Sequence, residues 1–278
     1  MLIFIKDAFE LAFIQYALIA AILTSIACGV VGSFVVVRRI SYLAGAIAHC
    51  VLGGMGVARY INVVYGVSWL TPFDGALVAA LLAALITGFV TLRLKEREDS
   101  VISAIWASGM AIGVLFIALT PGYKVDLMGY LFGNILLVSR GDLWAMAILD
   151  VIIMLVIWYS YPQFVAVCFD HEFARIRGIN VDFYYMLLLV LTALTVVMLI
   201  SVVGIVMVIA LLTIPVAIAG TFTNSLKIMI GFSVFLCMIF TTGGLVVSYG
   251  PDLPSGAVTI LLASTVWLMS MIRKNLLL

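Results

Sequence analysis

Long apolar stretches, each close to the thickness of a bilayer, are the feature that most constrains the fold of this 278-residue chain. A transmembrane helix needs about 20 predominantly apolar residues. Only 27 residues (14 basic and 13 acidic) carry charge, too few to cover a water-soluble globule. This scarcity excludes a soluble enzyme, and a net charge of +1 gives no reason to expect a nucleic-acid partner. The strands of a membrane β-barrel would alternate polar and apolar residues, so we predict an all-α, polytopic helical membrane protein.

The apolar stretches predict nine transmembrane segments within a single transmembrane domain over residues 1–278. The segments are 11–37, 43–63, 75–92, 101–119, 143–159, 185–200, 203–219, 228–247 and 257–271. The sixth and seventh are joined only near Ser201 to Gly204. If this pair forms one long span and a short broken helix, the count is eight.

The basic residues predict the orientation of the chain. Ten of the 14 lie on one side of a nine-span arrangement: Arg38, Arg39, Arg93, Lys95, Arg97, Arg175, Arg177, Lys227, Arg273 and Lys274. The positive-inside rule places them in the cytoplasm, with the N-terminus outside and the C-terminus inside. Six acidic residues then fall on the outer side, where they either attract cations or only solvate the loops: Asp7, Glu10, Asp74, Asp126, Asp142 and Asp252.

Residues 169–182 concentrate charge in one predicted cytoplasmic segment. Asp170 suits the N-cap of a short helix, Glu172 its first turn and Gly178 its C-terminal stop. The apolar Phe169, Phe173 and Ile176 favour a docking helix over an ordinary solvated loop.

Three titratable residues within the predicted spans are candidate metal ligands of a translocation pathway. His49 lies inside the second span, where an ionisable side chain is costly and neutral imidazole is a common metal ligand. A structural histidine bonded to a neighbouring helix is an equal alternative. Cys50 points about 100° away from His49 on a helix, which disfavours a shared metal. Asp150 faces either the interior or the outer interface.

Two further segments are candidates for shaping the pathway. Residues 125–136 are apolar but too short to span, so they form either an interfacial or re-entrant helix at the outer mouth or a packed loop. Its candidate mouth residues are Asp126, Tyr130, Phe132 and Asn134. Pro215 predicts a break in the seventh span, as in helices that line transport pathways, or a simple kink.

Taken together, the motifs resemble the membrane permease of bacterial ABC importers for zinc, manganese or iron. Four segments match that family in order: Arg38 and Arg39 followed by 44–49, then 126–133, 169–178 and 204–219. The resemblance implies a permease of the metal-ion/cobalamin-like type in the bacterial cytoplasmic membrane, without enzymatic activity or a permanent cofactor. It also implies a homodimer with its pathway at the dimer interface, two separate ATPase subunits and an extracytoplasmic metal-binding protein.

The resemblance assigns residues 163–182 as the loop and helix that couple the permease to the ATPases. The coupling candidates are Asp170, Glu172, Phe173, Ala174, Arg175 and Gly178.

One position departs from the family pattern. The family has an Asp four residues before the His, and here that position is Gly45. Loss of this carboxylate with retention of His49 favours zinc over manganese or iron. The alternatives are a siderophore or cobalamin permease, whose chains are longer by a span, and a secondary transporter, which needs a carboxylate relay.

Overall fold

The computed structural model describes residues 7, 9–94, 97–121, 133, 135–251 and 253–276, and this part of the chain is almost entirely α-helical. A π-helical turn at Val90–Leu94 extends α3, and a 3-10 turn at Ile135–Leu137 precedes α5. The α-helices are α1 (Ala12–Val37), α2 (Ser41–Tyr65), α3 (Pro72–Phe89), α4 (Glu98–Leu119), α5 (Arg140–Tyr159), α6 (Tyr161–Phe169), α7 (His171–Ile176), α8 (Val181–Val203), α9 (Ile205–Phe222), α10 (Leu226–Tyr249) and α11 (Ser255–Leu276).

Nine helices of the described residues are long and apolar enough to cross a membrane, namely α1–α5 and α8–α11. The all-α class and the count of nine are therefore confirmed. Most of the observed helices begin before the predicted segments, and at α3 the reason is a polar cap. At the start of α3, the Asp74 amide donates to Thr71 Oγ1 (3.3 Å) and the Thr71 amide donates to Asp74 Oδ2 (2.9 Å), which forms a capping box.

The junction between α8 and α9 differs from the prediction. Val203, assigned from sequence to the seventh span, ends α8, and Gly204 alone (φ +80°) separates the two helices. Helix α9 continues through Pro215, so the break predicted there lies at Gly204 instead. Proline removes the amide that would bond Leu211, and the Cys237 thiol of α10 donates to that carbonyl at 3.5 Å.

The described chain groups into two compact units, each with its own packing. Unit 1 comprises Met1–Val36, Met128–Val156 and Met198–Leu278, and in it α9, α10 and α11 pack against one another. Buried hydroxyls join α1 to α10 through Ser25 with Thr241 (3.2 Å) and Ser33 with Ser233 (3.5 Å). Such bonds between helices satisfy polar groups that lipid leaves without partners.

Unit 2 comprises Val37–Leu127 and Ile157–Val197, and its helix α2 packs against both α3 and α4. Glycines allow this close packing. A Cβ added at Gly53 would lie 2.6 Å from the carbonyl oxygen of Gly109 on α4, and one added at Gly54 would meet the carbonyl oxygen of Gly75 on α3. Larger residues at these positions would separate the helices, so the glycines fix the placement of the helix that carries His49.

Candidate functional site

His49 lies half-buried in α2, where its imidazole stacks on the Trp106 ring of α4 with centroids 4.8 Å apart and planes inclined by 19°. Its Nδ1 atom is buried and has no hydrogen-bond partner among the described residues. The described residues therefore do not show the hydrogen bond from Nδ1 to a neighbouring helix that a structural histidine would make. An imidazole nitrogen without a protein partner is suited to binding a metal ion or water.

The neighbours of His49 on α2 contribute no second ligand within unit 2. Gly45, one turn earlier, is buried and has no side chain. The Cys50 thiol donates to the carbonyl oxygen of Ile105 on α4 at 3.3 Å. Among the described residues, no group of three or more His, Cys, Asp or Glu side chains is arranged to hold a metal.

Asp150, the third candidate, lies in α5 and belongs to unit 1. Its side chain is only 7% exposed, so it faces the interior rather than the outer interface. The Oδ2 atom has no hydrogen-bond partner among the described residues. A buried carboxylate in a span is costly and is by default a functional candidate.

The short capped helix predicted in this segment is present as α7. The Asp170 carboxylate accepts hydrogen bonds from the amides of Glu172 and Phe173, both at 3.0 Å. At the other end, Gly178 adopts a left-handed φ of +76°, and the Ile179 amide donates to the Ala174 carbonyl at 3.0 Å. The local sequence therefore caps both ends of a helix that is only six residues long.

The outer face of α7 combines exposed apolar residues with charge. Phe173 is exposed and Ile176 is 85% exposed, whereas Ala174 is fully buried against the protein. The Arg177 guanidinium lies 4.7 Å from the Phe173 ring centroid. Arg175 forms an exposed ion pair with Asp182 at 3.4 Å. An exposed apolar surface bordered by charge is typical of a protein–protein contact.

Sequence reasoning missed two features near these sites. Helix α6 lies between the predicted fifth and sixth spans, where no helix before α7 is predicted, so residues 163–182 include part of α6 as well as α7. Pro162, near its first turn, was the available signal for that helix. Trp106 sits in an apolar run without any mark in the sequence that would pair it with His49. The mouth candidates Asp126, Tyr130, Phe132 and Asn134 lie outside the described residues.

Comparisons with known proteins cover almost the whole chain. The model of the ABC 3 transport family matches residues 10–274. An uncharacterized membrane protein of Synechocystis sp. is 42% identical over 265 residues, which cover 95% of this chain and 92% of that protein. The manganese transport system membrane protein MntC of Halalkalibacterium halodurans is 34% identical, with 95% and 88% covered. Among solved structures, PsaBC from Streptococcus pneumoniae in complex with Fab matches with a TM-score of 0.83 and 33% identity, over 96% of this chain and 94% of that one.

Proposed function

Because the chain belongs to the ABC 3 transport family, we propose that it is the permease of an importer that moves a divalent transition-metal ion across the bacterial cytoplasmic membrane. Family membership confirms the prediction that the chain is a transport permease and not an enzyme, with ATP hydrolysis on a separate subunit. The name of the MntC relative, a manganese transport system membrane protein, supports a metal ion as the cargo.

The observation that carries the proposal is the His49 imidazole, half-buried in a membrane-spanning helix, whose Nδ1 has no hydrogen-bond partner within the part of the chain that the structure describes. Stacking on Trp106 holds the ring in place without using either nitrogen. A preoriented neutral imidazole inside a span is able to bind a passing cation, and it adds no charge of its own to that of the cation in the bilayer interior.

The cytoplasmic coupling function is assigned to α7 and its caps. Its exposed Phe173 and Ile176 form a surface for a separate ATPase. Two ATPase subunits, a second copy of the permease and an extracytoplasmic binding protein complete the proposed importer. In this assembly the N-terminus lies outside and the C-terminus in the cytoplasm, as the distribution of basic residues favours.

The identity of the metal is the finer part of the proposal. His49 without a carboxylate at Gly45 favours zinc, which accepts nitrogen ligands readily. The naming of a 34% identical relative for manganese favours manganese. Uptake of radioactive zinc and manganese into proteoliposomes, each competed with the other ion, distinguishes the two cargoes.

The same assay tests His49. Replacing His49 with Ala is expected to lower metal uptake at least about tenfold, the lower range for losses at metal sites, while the complex still assembles. Tyr60→Ala is the matched control, because Tyr60 also joins α2 to α4 through an aromatic contact, with Phe116 at 5.3 Å. Equal losses in the two variants, with equal loss of thermal stability, would assign His49 to packing.

Two controls separate the proposal from its alternatives. Uptake that continues when the ATPase is inactive but stops with an ionophore would identify a secondary transporter. Uptake only of the chelated metal would identify a siderophore-type permease.

A further inference from the structure

Arg38 makes a contact that reaches from the first cytoplasmic turn to α8. The turn of residues 38–40 joins α1 to α2, and the Arg38 guanidinium carbon lies 5.5 Å from the centroid of the Tyr185 ring. Tyr185 is 2% exposed, and a cation over an aromatic face is stabilised more strongly when water is excluded. The contact therefore fixes the turn against the start of α8.

The charge of the same guanidinium also acts on α6. Burial raises the pKa of the Cys168 thiol to about 12, and the nearby Arg38 charge acts in the opposite direction. Cys168 lies in the last turn of α6, two residues before the α7 cap Asp170. Tyr185 lies in the first turns of α8, which follows α7. Arg38 therefore contacts the helix that follows the coupling helix, and its charge acts on the segment that precedes it.

The conformation of the turn explains why Arg38, and not its neighbour, makes these contacts. Arg39 adopts a left-handed φ of +63°, which is uncommon for a residue with a side chain, and it is exposed. Arg38 is half-buried, and the following Ile40 and Leu43 are almost completely buried. The first turn of α2 is thus packed firmly behind Arg38.

Helix α2 carries His49 from this packed start. His49 lies eight positions after Ser41, a rise of about 12 Å along the helix axis at 1.5 Å per residue. A helix with a complete hydrogen-bond ladder moves as a stiff body, so a displacement at its first turn reaches His49 with little loss.

We propose that Arg38 is a positioning residue that ties α8, the helix that follows α7, to the start of α2, so that displacement of α7 by a docked ATPase moves the helix that carries His49. This inference rests on the proposed function. It assigns Arg38 a role in coupling rather than in metal binding or ATPase docking.

The experiment measures movement of α2 directly. A Cys at position 42 (Tyr42 is 70% exposed) is labelled with an environment-sensitive fluorophore, since the four native cysteines are buried. The full permease is reconstituted in nanodiscs with its ATPase, using an ATPase variant that binds but does not hydrolyse ATP. In the otherwise unaltered chain, ATP is expected to shift the label emission.

Arg38→Gln is expected to abolish the ATP-dependent shift while the ATPase still co-purifies with the permease. Arg38→Lys is expected to restore part of the shift, because the cation remains over Tyr185. Arg39→Gln is the matched control: it removes the same charge from an exposed neighbour and is expected to leave the shift intact.

Different failures have different meanings. A normal shift in Arg38→Gln overturns the inference and leaves the proposed function intact. Loss of the shift together with loss of ATPase binding or thermal stability also overturns it, because Arg38 would then be structural. Failure of the unaltered chain to bind the ATPase contradicts the proposed function and, with it, this inference.

Discussion

The Asp170 carboxylate is expected to decide whether α7 is folded, and its replacement by Ala tests this directly. The helix has only six residues, and a helix this short is unstable without help because its first turn is costly to form. Asp170 satisfies two amides of that turn at 3.0 Å. The sequence offers no second N-terminal cap for α7.

The size of the effect follows from the cap. Replacing an N-cap Asp by Ala costs about 1 kcal/mol, within a range of about 0.5–2 kcal/mol. Since about 1.4 kcal/mol is a factor of ten, local opening of α7 should increase roughly fivefold. The apparent affinity for the ATPase scales with the fraction of molecules in which α7 is folded. As long as most molecules keep α7 folded, this affinity should fall by less than fivefold.

Hydrogen exchange measured by mass spectrometry reads local opening directly. The reporting amides are those that close α7 and its C-terminal turn. They are the amides of Ala174, Arg177, Gly178 and Ile179, with hydrogen bonds of 3.0–3.1 Å. Peptides from α10 in the same digest serve as an internal reference and should exchange as in the unaltered chain.

Asp170→Asn is the matched control, because Asn caps helices as well as Asp but carries no charge. At high salt, where the interaction with the helix dipole is screened, Asp170→Asn should exchange like the unaltered chain. Equal acceleration in the Ala and Asn variants would refute the reasoning, since charge rather than capping would then stabilise α7. Unchanged exchange in Asp170→Ala would show that tertiary packing of Ala174 alone holds the helix.

Two cysteines give further predictions. Cys237→Ala leaves the Leu211 carbonyl without its 3.5 Å donor, so it should destabilise the fold by about 1 kcal/mol and lower the melting temperature. Cys237→Ser keeps a donor and should melt close to the unaltered chain. Equal melting temperatures of the two variants would contradict this prediction. Burial raises the pKa of the Cys168 thiol to about 12, which keeps it in the protonated, unreactive form. Maleimide labelling of Cys168 should therefore stay slow from pH 7 to 9 and become fast only after denaturation in SDS, and rapid labelling of the folded protein would disprove its burial.

The nine spans were predictable because each depends on composition within one stretch of chain. Hydropathy marks where a helix is apolar, and it misses polar residues that cap or begin the helix, as Thr71 and Asp74 do at α3. Helix α7 was predictable for a related reason: Asp170 and Gly178 act on neighbouring amides and carbonyls, within a few residues.

The contacts that give these elements a role were not predictable from one sequence. His49 with Trp106 and Arg38 with Tyr185 join residues far apart in the chain, and neither pair shares a periodic pattern. Pro215 is a second case in which a distant contact decides the structure. Its missing amide predicts a break, and only the position of Cys237 on another helix explains why α9 continues.

Gly45 changes what the proposed pathway can offer a metal. With Gly at that position, α2 presents one imidazole and no carboxylate one turn away, and the described residues hold no group of three ligands. A single imidazole binds a divalent ion weakly, and weak binding favours release during transport. In the proposed homodimer with a shared pathway, the second copy would supply a second imidazole. Two neutral nitrogens suit zinc better than manganese, which prefers oxygen ligands, so the competition between the two ions also tests the consequence of Gly45.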